Sequence, residues 1–375
     1  MLVRQLKIKS PMKQYRFILS GGGTGGHIYP AISIAERLTE VFPKSDITFV
    51  GSIGKMEMKT IPKYGYDIKG LLISGLKRKI FSLNNIFLPF KLIISFLQSI
   101  FIILFNKPDF VIGTGGYASF PIVFVSSFFK IPTLIQEQNS LPGIANKLLS
   151  KHVKYISVGY NKMDKFFPAE KLFYTGNPVR KSITNKIDID KAKESLNIDK
   201  TRMVLTVLGG SLGSKKINEL IYNNLDYIKS KEITLIWQCG KLYYDLYKDQ
   251  SSEDFIIHDF ILDIDTVYYS SDIIIARSGA LTLSELAIVG KPSILIPSPN
   301  VAEDHQYYNA KAVSDLDGAI CLVEKEADLL FKSKLDMLIK DEDYRKKIAS
   351  NISKLASPNA SSEIVGKIKN HLLYE

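Results

Sequence analysis

Cysteine is nearly absent: Cys239 and Cys321 are the two in 375 residues, far apart in the chain. Neither a disulfide framework nor a CxxC metal pair can be built from them, which fits a reducing cytoplasm. Histidine is also sparse. Five residues stand apart from one another and no HExxH occurs, so neither structural nor catalytic zinc is expected. Acid is missing from the start of the chain, where Arg4, Lys7, Lys9, Lys13 and Arg16 precede the first acid, Glu36. A signal-peptide core is lacking too, because Gly21 to Gly23 interrupt the short apolar run Phe17–Leu19. Residues 1–14 therefore read as a frayed extension. No recognised RNA- or DNA-binding motif accompanies the dispersed basic residues, so a nucleic-acid partner is not expected.

What is present is a globular composition, 46% hydrophobic and 23% charged, in a chain long enough for two cores. The net charge of +11 favours an anionic partner, beside the alternative of a lysine-rich composition with no specific meaning. One apolar run, IFLPFKLIISFLQSIFIILF (86–105), is about long enough to span a bilayer. Lys91, Ser95, Gln98 and Ser99 share one helical face within it, which points instead to a core helix or one dipping into headgroups. Just before it, Lys77, Arg78 and Lys79 lie among Leu76, Ile80 and Phe81, a composition suited to an anionic membrane surface.

Short apolar strands alternate with glycine turns and helices. Phe17–Ser20 leads into Gly21-Gly22-Gly23-Thr24-Gly25-Gly26-His27, and Ala31, Ile34, Ala35, Leu38 and Val41 then fall on one helical face. Ile47–Val50, Phe110–Ile112 and Thr133–Ile135 read as further strands. The rhythm restarts with Met203–Leu208 before Gly209-Gly210-Ser211-Leu212-Gly213, and continues through Leu235–Trp237, Ile256–Ile257, Ile273–Ala276 and Ser293–Ile296. Two such halves predict an α/β protein of two Rossmann-like doubly wound parallel sheets facing a cleft. The expected divisions are residues 1–180, an acceptor and membrane-associating half; 181–355, a nucleotide-sugar half; and 356–375, a terminal helix packing back on the first half.

The turn at Gly21, Gly23 and Gly26 matches GxGxxG, by itself a weak signal. A dinucleotide site also needs an acid at the end of the second strand, and that strand ends Val50-Gly51-Ser52. Nicotinamide binding therefore loses weight, while phosphate binding at a helix N-terminus survives. His27 opens that helix. A lone histidine is more often structural, but a helix N-terminus disfavours a cationic ring and leaves it able to accept a proton. Gly113-Thr114-Gly115-Gly116-Tyr117 is a second glycine turn, and the one at 209–213 a third. Three turns after three strands favour phosphates on both sides of a cleft, hence two phosphorylated ligands. Thr282 and Glu285 have capping-box spacing, so Glu285 is either a helix cap or a carboxylate for ribose hydroxyls. Gln306 matters only if its loop faces the cleft.

Taken together, GGGTGGHIYPA (21–31), GTGGYASFP (113–121), EQNSLPGIANK (137–147), GNPVR (176–180), GGSLGS (209–214), RSGALTLSE (277–285) and QYYNA (306–310) resemble the MurG family, a GT-B-fold group of peptidoglycan N-acetylglucosaminyltransferases. The resemblance implies an inverting, metal-independent transfer of N-acetylglucosamine from UDP-N-acetylglucosamine to the C4 hydroxyl of lipid I, giving lipid II. It implies no cofactor, a peripheral location on the cytoplasmic face of the bacterial inner membrane, and other cell-wall synthesis proteins as further candidate partners. It places Thr24, Gly25 and Gly26 near the sugar and diphosphates, with His27 as candidate base. It turns Gly113, Thr114, Gly115, Gly116 and Tyr117 toward the acceptor diphosphate. Asn139 and Arg180 reach donor groups, and Ser211 with Ala280, Leu281, Thr282, Leu283, Ser284 and Glu285 hold UDP, Glu285 on the ribose. Ile261 sits by uracil through its backbone, and Gln306 reads the sugar hydroxyls. Gln136 departs from a histidine found in some relatives, so Glu137 is left to orient His27 or to act as the base itself. The same fold also admits a UDP-N-acetylglucosamine epimerase, a transferase with another acceptor, or a non-catalytic nucleotide-sugar sensor at a membrane.

Overall fold

The structure, a computed structural model, describes residues 13–75, 87–210, 212–301 and 304–375. In the first half, β1 (Arg16–Gly21), β2 (Asp46–Ser52), β3 (Asp67–Leu71), β4 (Phe110–Gly115), β5 (Thr133–Glu137), β6 (Tyr155–Val158) and β7 (Leu172–Tyr174) form one sheet in the order β3-β2-β1-β4-β5-β6-β7. In the second, β8 (Val204–Leu208), β9 (Thr234–Gln238), β10 (Phe255–His258), β11 (Ile273–Ala276), β12 (Ser293–Leu295) and β13 (Ile320–Cys321) run β10-β9-β8-β11-β12-β13. All pairings are parallel. The central strands β4, β5, β8 and β11 are buried along their whole length, as covered parallel strands are; β11 is apolar throughout, and β4, β5 and β8 each hold an apolar stretch.

Strand order reverses between β1 and β4 in one sheet and between β8 and β11 in the other. At such switch points the loops leaving the strands part and open a crevice at the carboxyl ends. The glycine turns after β1, β4 and β8, and the 277–279 turn after β11, all leave these ends. The chain closes with the helix Ala360–Tyr374, whose Ile364, Val365 and Ile368 are buried in the core of the first half beside Phe110 and Leu134.

The apolar run forms the helix Leu88–Asn106, but its polar stripe faces inward. Ser95 and Ser99 are buried, Lys91 Nζ donates to Ser74 Oγ (3.2 Å), and Gln98 Oε1 accepts from Leu72 N–H (2.8 Å). Phe90 (65% exposed), Ile93, Leu97, Phe101 (61%), Leu104 and Phe105 (79%) lie outward instead. Periodicity specifies such a stripe without saying which side the protein takes.

Candidate active-site cleft

The helix Gly25–Val41 follows β1 directly, with Thr24 as an extended N-cap whose side chain makes no capping bond. The first-turn N–H groups of Gly25 and Gly26 therefore have no intrahelical partner and lie at the positive end of the helix, open to an anion. Thr24, Gly25, Gly26 and His27 line a cleft of about 860 Å³. Across it stand Gly210, Ala280, Thr282, Glu285 and Gln306 of the second half. Both sets of strand ends thus share one space, large enough for a nucleotide sugar.

The ring of His27 is held at Nδ1, which lies 3.0 Å from the Thr114 carbonyl and 3.0 Å from Gln138 Oε1. Both are acceptors, so Nδ1 carries the proton and Nε2 keeps its lone pair. The expectation that Glu137 orients this ring is corrected. The Glu137 carboxylate is buried (2% exposed) and turned into the following loop. It accepts from Asn139 N–H and Nδ2, from Gly143 N–H, and from Asn146 Nδ2 (2.8–3.1 Å). Its oxygens are thus directed at the loop and not at the imidazole, and Gln138 takes the orienting place assigned to Glu137.

The second glycine turn also differs in part from expectation. Gly113 and Thr114 belong to β4 and are buried; Thr114 Oγ1 donates to the His27 carbonyl (2.7 Å), so neither residue offers a side chain to an acceptor. Gly115 packs against the His27 ring, where a Cβ would come within 2.7 Å of Nδ1. Gly116, at φ +85°, meets Gly22, whose carbonyl oxygen would lie 2.2 Å from an added Cβ. The two turns of the first half are thus in backbone contact. Tyr117 remains about half exposed (49%) beside Gly75. The acid absent from the end of β2 has a counterpart in Glu57. It is fully buried and accepts from Ser52 N–H and Gly23 N–H (both 2.9 Å), bracing the first glycine turn instead of a ribose.

On the far side, the helix Ala280–Val289 is capped by Gly279, with no side-chain cap bond, so the capping role of Thr282 and Glu285 does not hold. Glu285 is buried (3% exposed) and accepts from Tyr268 Oη (2.9 Å) and Arg180 Nη2 (3.3 Å). Burial, then the Glu285 carboxylate, push the Tyr268 phenol up, so it stays a donor. Arg180 crosses from the first half over the Tyr29 ring (4.8 Å), and its Nε is buried without a partner. Arg180 lines the cleft and brings a fixed positive charge to its wall. Leu283 does not face the cleft; it packs in the core of the second half, one helical turn from Ala280. Ser284 points at Asn177 of the first half. Ile261 is 6% exposed and its N–H is engaged by Gln238 Oε1 (2.9 Å), which leaves its carbonyl for a base. Gln306 lies at the start of the helix His305–Ser314, with Oε1 accepting from Ser298 N–H (2.9 Å). Ser211, Leu76, Lys77, Arg78, Lys79, Ile80 and Phe81 fall outside the described residues.

Asn309 joins the halves, a role that its place in the sequence QYYNA (306–310) does not signal. Fully buried, it accepts from Ser140 N–H (3.1 Å) and Oγ (2.9 Å), and donates to Asn139 Oδ1 (3.2 Å) and Ser278 O (3.4 Å). Asn139 lines the cleft, yet its amide is spent on Glu137 and Asn309. Among the described residues, no group of three or more His, Cys, Asp or Glu is arranged to hold a metal ion.

The family model described as the glycosyltransferase family 28 N-terminal domain matches residues 17–158, and the corresponding C-terminal-domain model matches residues 204–364. A Flavobacterium psychrophilum protein is 51% identical over 362 residues, covering 95% of this chain and 98% of its own. It is named UDP-N-acetylglucosamine–N-acetylmuramyl-(pentapeptide) pyrophosphoryl-undecaprenol N-acetylglucosamine transferase. This chain belongs to the MurG family. Among solved structures, Acinetobacter baumannii MurG superposes with a TM-score of 0.74 at 24% identity, covering 96% of this chain and all of that one. A putative UDP-N-acetylglucosamine 2-epimerase from Listeria monocytogenes gives 0.68 at 12% identity, covering 97% and 98%. Both likenesses speak for the two-sheet GT-B fold of MurG proteins, which the epimerase shares.

Proposed function

We propose that this chain transfers N-acetylglucosamine from UDP-N-acetylglucosamine to lipid I, the undecaprenyl-diphosphate-linked N-acetylmuramyl-pentapeptide, forming lipid II. It is a hexosyltransferase of peptidoglycan synthesis. The observation that carries the mechanism is His27, which lines the shared cleft with its proton tied at Nδ1. Nε2 takes the proton of the acceptor C4 hydroxyl as that oxygen attacks C1 of the donor sugar. The C1–O bond to UDP breaks in the same step, and configuration inverts from α to β. Charge growing on UDP is met by the N-terminus of the helix Ala280–Val289, by the turn at Gly210 and by the positive charge of Arg180, groups in place before the reaction begins. Glu285 takes the ribose, and Gln306 the sugar hydroxyls. These donors serve in place of a metal ion.

Labelled N-acetylglucosamine is expected to pass from its UDP donor to a short-chain lipid I analogue at full rate with EDTA present. Activity that appears only when metal is restored contradicts the metal-free step. An isomerised sugar released from UDP-N-acetylglucosamine alone would favour an epimerase.

The outward apolar face of the helix Leu88–Asn106 supports a peripheral seat on an anionic membrane. Among the described residues this helix alone is long and apolar enough to cross a bilayer, and most of it is not buried in the protein. Its inward polar stripe is bonded to the loop after β3, which fits a helix lying in the interface, not across it. Gly75 of that loop touches Tyr117, so the lipid-facing surface adjoins the acceptor side of the cleft. Changing Phe90 and Phe101 together to glutamate is expected to weaken binding to phosphatidylglycerol vesicles at least about a hundredfold, the loss of two buried aromatic rings at about 1.5–3 kcal/mol each. Unaltered flotation with such vesicles would remove this face from the membrane reading.

A further inference from the structure

We propose that Gln138, Gln136 and Asn177 form a one-way chain of amides that fixes the tautomer of His27 and ties it to the donor-binding half. The proposal rests on the reading of His27 as the base. The links run from the imidazole outward. His27 Nδ1–H donates to Gln138 Oε1 (3.0 Å), Gln138 Nε2 to Gln136 Oε1, and Gln136 Nε2 to Asn177 Oδ1 (2.9 Å). Asn177 Nδ2 then donates to Ser284 Oγ (3.0 Å), and Ser284 Oγ to the Ala280 carbonyl (3.0 Å). The chain begins at the base and ends in the first turn of the helix across the cleft.

A side-chain amide has a donor end and an acceptor end, and its orientation follows from its neighbours. Here the neighbours leave no choice. Gln138 Nε2 also faces two carbonyls, Thr114 O (2.6 Å) and Gln136 O (3.2 Å); Gln136 Nε2 faces Glu137 O (3.3 Å); Asn177 Nδ2 faces Gln138 O (3.0 Å). Turning any one amide around would set oxygen against oxygen at sites no more than 2% exposed, where water cannot repair the mismatch. The acceptor end of Gln138 is thereby aimed at Nδ1, and the lone pair of His27 is left on Nε2. When Nε2 takes a proton, the new charge is met by Gln138 Oε1 and by each amide polarised behind it. Within this chain of amides one link crosses the halves, Asn177 to Ser284, so its far end is held only while the second half is docked. Gln136, Gln138 and Asn177 are positioning residues: they act through His27 and touch no substrate.

Gln136 is the member to replace. Histidine there keeps one donor and one acceptor nitrogen, whereas leucine keeps neither. With the lipid I analogue, Gln136→Leu is expected to lower kcat at least about tenfold with the KM for UDP-N-acetylglucosamine within about twofold. Gln136→His is expected to stay within about threefold of the parent. Ser284→Ala should also lower kcat, and the double variant Gln136→Leu/Ser284→Ala should lose little more than the worse single one, because both break one unit without touching each other. Should Gln136→Leu fail to fold, Ser284→Ala reads the chain from its far end: kcat is expected to fall there too, and a parental kcat would overturn the chain. Full activity in Gln136→Leu, equal loss in Gln136→His, or additive losses in the double variant would each overturn the chain. If His27→Ala is inactive in the same assay, such a result leaves the base in place; if His27→Ala is fully active, the base reading itself has failed.

Discussion

Replacing His27 by alanine is expected to lower kcat by about 10²–10⁴, the usual contribution of a positioned general base. The acceptor hydroxyl is uncharged at neutral pH, and among the described residues of the first half no other imidazole and no carboxylate lines the cleft: the Glu137 carboxylate is turned into the following loop, and Glu57 is buried behind the glycine turn. Donor affinity should stay within about twofold, because the groups assigned to UDP lie chiefly in the second half and Nδ1 is bonded to protein, not to ligand. Turnover of a lipid I analogue, paired with calorimetric titration of UDP-N-acetylglucosamine, separates the two quantities. Loss of donor binding with little change in kcat at saturation would assign His27 to the donor and leave the reaction without its base.

Gly116→Ala is expected to reduce lipid I turnover about 10²-fold or more while sparing UDP binding. Two costs coincide at this position. Its φ of +85° is one that L side chains rarely adopt, and an added Cβ would lie 2.2 Å from the Gly22 carbonyl oxygen. Backbone cannot rotate out of the way as a long side chain can, so the turns after β1 and β4 must part. A displacement of about 1 Å near the reacting atoms is enough for a hundredfold loss. Gly366→Ala, in the terminal helix with open space around it, provides the comparison. It should leave kcat unchanged and raise stability by about 1 kcal/mol, the helix preference of alanine over glycine. A Gly116→Ala enzyme with parental kcat and KM for the lipid I analogue would show that contact between these turns is not needed for acceptor use.

Much of the architecture was readable from the chain because covered parallel strands are rich in apolar residues and β1, β4 and β8 run directly into glycine turns. The strands that went unread are the short or polar ones. β3 is DIKGL, with two charges in five residues, β7 is a half-exposed three-residue edge strand, and β13 has only two residues. Thr282 and Glu285 show the limit of spacing. Three residues apart, they satisfy a capping box in sequence, yet the helix begins at Gly279 and Glu285 turns to Tyr268 and Arg180. The helix Leu88–Asn106 shows the same limit for periodicity, its polar stripe being inward and its phenylalanines outward.

By itself the sequence determined the repeated strand–glycine–helix order, the family, and the backbone groups that can meet phosphate. These depend on neighbours within a few residues, and local geometry is written locally. The tertiary structure decided what each polar side chain faces. Gln138 reaches back to His27, Asn177 reaches Ser284, and Asn309 bridges Ser140 and Ser278 across separations no local rule spans. A buried amide must find a partner, but which one depends on where folding brings the strand ends together, and that is set by the packing of two whole sheets.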